Sequence, residues 1–258
     1  MSTFVTTFAH NCCYKNQARN KRICLEHGAK KVFDFSIDTL DAPNDTKEYI
    51  RNTPKGAGHF CWKPLALQNV FNSPEVKEND IIMHMDSSMW PTNPPHCLNT
   101  LTEDINKNNI FIFKTPFAQR DWSKMNAVRL FTNNEFWFEE QGREWQLMGG
   151  FVGIVNNDLG RNFVNEWAKL MQPNKCHYFD DSPSPIPNWE NFQESRHDQM
   201  MMSLFLYENH PEIVKNFRFP DFYNKMRGLE SHRPDWLKFH EDVPDYENIE
   251  GDITHRHE

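Results

Sequence analysis

Several features are missing from this chain, and each absence excludes something. No apolar run approaches the roughly 20 residues that a membrane-spanning helix needs, so no transmembrane segment is expected. There is no basic surplus: 36 acidic residues outnumber 28 basic ones, for a formal charge of −8. That balance argues against a nucleic-acid partner, whose phosphates demand a basic face. The opening residues, "MSTFVTTFAHNCCYK", hold neither a basic leader nor a long apolar segment, so no secretory signal is expected. Six cysteines, at positions 12, 13, 24, 61, 97 and 176, form no CxxC pair. In a chain of 258 residues they read as reduced thiols rather than a disulfide framework or a zinc site, and the expected compartment is cytoplasmic. No internal repeat or low-complexity linker divides the chain, so a single domain is expected. The 12 histidines invite a metal reading, but His232, His255 and His257 lie in polar sequence that reads as solvated surface.

What is present is an alternation of strand and helix signals. "STFVTTFA" (2–9) and "KKVFDFSI" (30–37) are β-rich, with a helix pattern at 15–28 between them that stops at Gly28. A weaker helix near 46–52 ends before Pro54. "IIMHMD" and "NIFIFKT" (109–115) read as two more buried strands, separated by a helix at 98–107. This rhythm predicts an α/β fold with a mainly parallel sheet flanked by helices. Further on, a helix is expected over 121–131 with Asp121 as its cap, and a strand over 147–157 interrupted by Gly149 and Gly150. Helices over 158–171 and 195–209 flank a Pro-rich loop at 180–190, and the polar tail beyond Arg233 is expected to wrap the surface.

In open α/β sheets the ligand crevice lies at the carboxyl ends of the strands. Asp86 stands there, at the end of "IIMHMDSSMW", followed by two serines. A carboxylate so placed can hold a divalent cation and neutralise a diphosphate. An Asp-Ser turn that caps the chain as it leaves the sheet explains the residue equally well. Asp198, in "RHDQ", shares a helical face with Met201, Met202 and Phe205, three, four and seven residues on. An acid at a helix N-terminus is common, but one on the apolar face looks into a core or a crevice. Gln199 beside it offers a donor–acceptor pair for a sugar hydroxyl. "GAGHFCWKP" (56–64) supplies two glycines, a Trp that could stack and Lys63. It is neither a dinucleotide fingerprint, since position 61 is Cys, nor a Walker loop, since no GK[ST] follows. "QRDWSK" (119–124) places Arg120, Asp121 and Lys124 at a helix start, and the paired glycines of "MGGFVGI" suggest a close approach of ligand or backbone.

In this order "GAGHFCWKP", "DIIMHMDSS", "RDWSKM", "GGFVGIVNN" and "RHDQMMMSLF", from about residue 56 to 206, resemble small GT-A-fold glycosyltransferases of bacterial polysaccharide clusters and large DNA viruses. The resemblance implies a GT-A-like, Rossmann-related sheet, with a nucleotide-binding half at 1–115, an acceptor and catalytic half at 116–211 and a tail at 212–258. It implies a nucleotide-sugar donor, UDP-linked by family frequency, with base and ribose near Thr7, Phe8 and His10. The acceptor would be a glycan or glycoprotein, and the group moved a hexosyl or pentosyl. Asp86 and Ser88 stand where the family's Asp-x-Asp motif holds Mn²⁺. Here Ser88 replaces the second acid, so a further ligand such as a C-terminal His would complete the metal site. Asp198 would act as general base in an inverting enzyme, or position the donor sugar in a retaining one. Lys63 would meet donor phosphate or sugar, with Gln199 also on the donor; Arg120, Asp121, Gly149 and Gly150 would lie on the acceptor side. Two rivals differ in class: a GT-A-like scaffold that only binds nucleotide or glycan, and a hydrolase using Asp86 and Asp198 as its carboxylate pair.

Overall fold

β-Branched and aromatic residues at Thr3–Phe8 form β1, and the Val and Phe of Lys31–Phe35 form β2 beside it, joined by helix α1 (Tyr14–Glu26). The structure, a computed structural model, describes residues 1–11, 13–91, 98–220 and 237–238. Helices α2 (Asn44–Asn52), α3 (Gly56–His59) and α4 (Trp62–Phe71) lead into β3 (Ile81–Met85), in which every residue is buried. After β4 (Trp90–Pro91) and α5 (Leu98–Asn108) come β5 (Ile110–Phe111) and β6 (Lys114–Ala118). Short helices α6 (Gln119–Trp122) and α7 (Met125–Val128) precede β7 (Trp145–Leu147) and β8 (Phe151–Val155). Helix α8 (Asp158–Leu170), the turn α9 (Cys176–Phe179), α10 (His197–Asn209), α11 (Pro211–Val214) and β9 (Leu237–Lys238) complete the described elements.

The main sheet has the order β2-β1-β3-β8-β5. β1 runs parallel to both β2 and β3, with Val5 level with Val32 on one side and Met83 on the other. β8 is antiparallel to β3 and to β5, so four of the five strands share one direction. The fold is thus α/β with a mostly parallel sheet, as the sequence rhythm predicts. Helix α1 packs on β1 and β2, α4 on β1 and β3, and α5 on β5 and β8. Because successive strands leave β1 in opposite directions, the crevice between the carboxyl ends of β1 and β3 is a topological switch point.

Some expectations are corrected. The apolar run at 109–115 is not one strand: β5 ends on the main sheet and β6 pairs with β7 as a separate ribbon. Pro116 lies within β6; it has no N–H for a ladder, and the β6–β7 register shifts between Lys114 and Ala118. Nor is 121–131 one helix capped by Asp121. The chain turns extended at Ser123 and Lys124, because the buried Lys124 ammonium is drawn to the His177 carbonyl (2.7 Å) and to Asp180 (3.1 Å). Residues 62–71, not foreseen as a helix, form α4. The glycines at 149–150 make a turn between β7 and β8. Helix α10 is buried on nearly every face rather than along one stripe, so burial of Asp198 follows from the helix and not from its position on it. His232, His255, His257 and most of the tail lie outside the described residues; Leu237–Lys238 pairs with Trp90–Pro91. Among the described residues no helix is long and apolar enough to cross a membrane.

Helix α8 starts on a side-chain cap, Asn157 accepting from the Gly160 amide at 3.0 Å, and buries Phe163, Val164 and Trp167. Gly160 is there for space, since an added Cβ would come within 2.2 Å of the Val155 carbonyl oxygen. Gly160→Ala should therefore destabilise the fold by roughly 1–3 kcal/mol, although Ala is about 1 kcal/mol the better helix former. Urea unfolding would measure this, and a gain in stability would show that the helix start yields easily.

Candidate active site

The crevice at the switch point is built around Lys63. Its backbone is placed by an unusual turn: Gly56, Ala57, Gly58, His59 and Phe60 all have positive φ, so the chain winds one left-handed turn before α4 begins. Lys63, in the first turn of α4, is only 2% exposed. Its Nζ lies 3.1 Å from Asp86 Oδ1, 3.0 Å from Asp198 Oδ2 and 2.9 Å from the Gly149 carbonyl oxygen. The Gly149 carbonyl takes a hydrogen bond from the ammonium, and the two carboxylates meet it as ion pairs. The ring of Phe60 faces the same ammonium at 4.6 Å.

Five residues singled out in the sequence therefore converge: Lys63, Asp86, Asp198, Gly149 and Gly150. The backbone explains the Asp86 turn, with the Met89 amide donating to the Asp86 carbonyl at 2.8 Å and the Asp86 amide to the Gly150 carbonyl at 2.9 Å. The carboxylate is not needed as a cap and is left for the crevice. A Cβ on Gly149 would meet Asp198 Oδ2 at 2.7 Å, and one on Gly150 would meet Asp86 Oδ2 at 3.1 Å. The glycine pair lets the β7–β8 turn approach both acids.

Burial pushes both carboxyls up and the Lys63 ammonium pulls them down. For Asp198 burial prevails, with help from the Asp86 charge, and its pKa is pushed up to about 6. For Asp86 burial is outweighed by Lys63 together with His84, which hold it well below the usual carboxylate range. Burial would strip Lys63 of its proton, but the two acids hold its pKa above the ordinary value. The Asp86 side chain keeps 32% exposure, against 4% for Asp198, so Asp86 is the acid that faces solvent. His84 was not foreseen. It sits two residues before Asp86 on the same face of β3, burial keeps it neutral, and its Nε2–H donates to Asp86 Oδ1 at 3.3 Å. Period-two alternation was the signal that could have found it.

The other candidates are placed less directly. Phe8 stacks on Trp62 at 4.2 Å with both rings buried, so the Trp62 face is already taken. Thr7 Oγ1 and His10 Nδ1 are buried at the end of β1 with no hydrogen-bond partner among the described residues. Gln199 has both ends of its amide engaged, accepting from the Gly149 amide (3.2 Å) and donating to Gln146 Oε1 (2.9 Å). Ser88 is half-buried beside Asp86. Arg120 donates to the Phe138 carbonyl and lies over Trp189, while Asp121 accepts from the Gln193 amide through its carbonyl; neither touches Lys63, Asp86 or Asp198. A cavity of about 670 Å³ at the other end of the sheet, lined by residues including Asn109, Asn156 and Arg161, contains none of these groups.

A second cluster was missed altogether. His59, Asp181 and His197 bring one ligand atom each to within 4.8 Å of one another and can hold a metal ion. His59 and His197 lie in quoted motifs and Asp181 in the Pro-rich loop, yet the three come from separate segments, and no spacing rule joins them.

No protein family's sequence model matches the chain, and no curated protein does. Among solved structures it is similar to mouse xyloside xylosyltransferase 1 in its apo form, at 11% identity and a TM-score of 0.46, over 92% of this chain and 96% of that one. A glycosyltransferase involved in glycosylation of the major capsid of PBCV-1 gives 11% identity and 0.41, over 70% and 72%. The galactosyltransferase LgtC gives 9% identity and 0.44, over 95% and 88%. Scores of this size describe a loosely shared backbone course and say nothing of substrate.

Lys63→Met removes the cation that two acids share. A loss of roughly 3–5 kcal/mol is expected at about pH 7. Without the ammonium both carboxyls rise, Asp198 further above the unfolded value near 3.9 and Asp86 from below it, so the folded state takes up protons more readily. Stability of the variant should then recover in part as pH falls from about 7 to about 5. Urea unfolding at both pH values reads this; equal losses would mean that Lys63 does not compensate the pair.

Proposed function

We propose that this chain is a glycosyltransferase that moves a hexosyl or pentosyl group from a nucleotide-sugar donor, UDP-linked, to a hydroxyl of a glycan or glycoprotein. The observation that carries the reading is the Lys63-bridged acid pair at the carboxyl end of the central strand, beside the switch point where nucleotides bind in open α/β sheets. The motif resemblance points the same way. A role in polysaccharide biosynthesis, a cytoplasmic setting consistent with the free thiols of Cys61 and Cys176, and independence from nucleic acid belong to this reading.

Charge decides what the crevice can accept. Two carboxylates and one ammonium leave a net charge of −1, so a bare diphosphate is repelled. Asp86 Oδ1 is occupied by Lys63 and His84, whereas Oδ2 has neither. A magnesium-like cation bound through one carboxylate plus substrate phosphates needs no more than that from the protein. The residues therefore fit Mn²⁺ or Mg²⁺ held by Asp86 Oδ2, with the Ser88 hydroxyl beside it, in the presence of donor. Such a cation supplies charge neutralisation to the departing diphosphate.

The remaining roles fall to the chain itself. Lys63 is buried between the two carboxylates and the Gly149 carbonyl, so it acts first by fixing those carboxylates. Asp86 is the acid that meets the donor. Asp198 touches Lys63 and is closed to solvent, so it positions Lys63, and through it Asp86. Its carboxyl near 6 has the pKa of a general base at neutral pH, which would be used only in a conformation that opens it to the acceptor. The burial of Asp198 also favours a second reading, a protein that binds nucleotide-sugar without turnover.

Calorimetric titration with UDP, GDP and their sugars, with and without Mn²⁺, tests the assignment. Metal-dependent nucleotide binding is expected, weakened roughly 10–100-fold in Asp86→Asn, the worth of a charged contact. Donor hydrolysis or transfer would then be measured, and binding without either selects the second reading. No nucleotide binding under any metal condition removes the donor site.

A further inference from the structure

Two buried histidines are held in a backbone conformation that costs free energy. His59, with φ 51°, lies in the left-handed turn, and His197, with φ 49°, opens α10. Each such residue costs on the order of 1–3 kcal/mol and persists only where the surroundings over-determine it. The common consequence is that their Nε2 atoms face one carboxylate. His59 Nε2 lies 3.5 Å from Asp181 Oδ2, and His197 Nε2 lies 3.7 Å from Asp181 Oδ1.

The opposite ring nitrogens are fixed. His197 Nδ1 lies 2.6 Å from the Phe179 carbonyl, which only accepts, so Nδ1 carries the proton and the Nε2 lone pair is free. His59 Nδ1 lies 2.8 Å from the Tyr49 hydroxyl. With Nδ1–H donating to that hydroxyl, the His59 Nε2 lone pair is free as well. Orientation of a ligating histidine through its other nitrogen is the usual supporting arrangement of a metal site.

The geometry points to a binding site for a first-row transition-metal dication, Zn²⁺ by ligand type, held by His59 Nε2, His197 Nε2 and the Asp181 carboxylate. Ligands of a tetrahedral zinc with bonds of about 2.0–2.1 Å stand roughly 3.3 Å apart; the two imidazoles already stand 3.5 and 3.7 Å from Asp181, and all three ligand atoms lie within 4.8 Å of one another. Asp181 is about half exposed, which leaves a fourth position on the solvent side. Lys55 now pairs with Asp181 at 3.0 Å and approaches Glu194 at 3.8 Å, with all three side chains about half exposed. Exposed pairs of this kind are worth about 0–1 kcal/mol, so a dication displaces Lys55 at little cost. The site ties together the turn before Lys63, the loop after α9 and the residue next to Asp198. It would thus fix the frame of the crevice from behind, with a donor set separate from Asp86.

The test uses the full chain, stripped with chelator and titrated with Co²⁺ while its d–d absorption is followed, then with Zn²⁺ as competitor. A single equivalent should bind without nucleotide and be displaced by Zn²⁺. Asp181→Asn, a change at a half-exposed side chain, should weaken binding by about 100-fold or more, and Tyr49→Phe by roughly 10–100-fold. Asp86→Asn and the double tail variant His255→Ala/His257→Ala should leave the affinity unchanged. Absence of Co²⁺ binding, undiminished binding in Asp181→Asn, or loss of binding in the tail variant would overturn the site.

Discussion

A lysine with its ammonium almost wholly removed from water needs its charge compensated, and Lys63 has ion pairs to Asp86 and Asp198 and a hydrogen bond to the Gly149 carbonyl. Those partners belong to β3, α10 and the β7–β8 turn, and the lysine itself to α4. One cation thus connects the central strand, the last large helix and the β7–β8 turn, adding to the β3–β8 ladder and the Gln199 contact with the Gly149 amide. Desolvating three charges is costly, and their mutual attraction offsets that cost only when the geometry is met in full. The glycines at 149 and 150 follow from this requirement, because any Cβ there would collide with one of the two acids.

The same geometry divides the labour between the carboxylates. Both face Lys63, but only Asp86 has an exposed edge and a second donor in His84, so it stays ionised and reachable. Asp198 is closed in, and burial keeps its carboxyl near 6. Two acids of one residue type, about equally far from one ammonium, differ because one lies at a strand end in the crevice and the other at the start of a helix buried on all sides. Environment, not identity, sets the role.

How much of this was legible depended on the range of the interaction. Asp86 was readable because strand, turn and acid are adjacent in sequence and the position of a crevice follows from topology. Gly149 and Gly150 were readable as a close approach, though not as an approach to two acids. Lys63 was visible as a cation, but its carboxylate partners lie far away in the chain, so the two ion pairs that hold it could not be read. Arg120 and Asp121 seemed to start a helix; tertiary contacts of Lys124 broke that helix. His59, Asp181 and His197 carried no signal at all, since three segments meet only after folding and none has a ligand spacing.

The left-handed turn at 56–60 links the two clusters physically. Ala57, His59 and Phe60 each adopt a conformation that side chains disfavour, at a cost of roughly 1–2 kcal/mol per residue. A right-handed continuation of α4 would avoid that cost, so the sequence must gain from reversing the hand. The reversal brings His59 toward Asp181 and His197 on one side and Phe60 over the Lys63 ammonium on the other. Gly56 and Gly58 relieve the two positions where a Cβ would meet the Phe60 ring or the Ile50 backbone. Since His197 precedes Asp198 and His59 lies one turn before Lys63, movement at the histidine cluster must displace the Lys63–Asp198 contact. The strain is therefore sited where the two clusters share their backbone, and a ligand held by the histidines would act on the crevice acids through that turn.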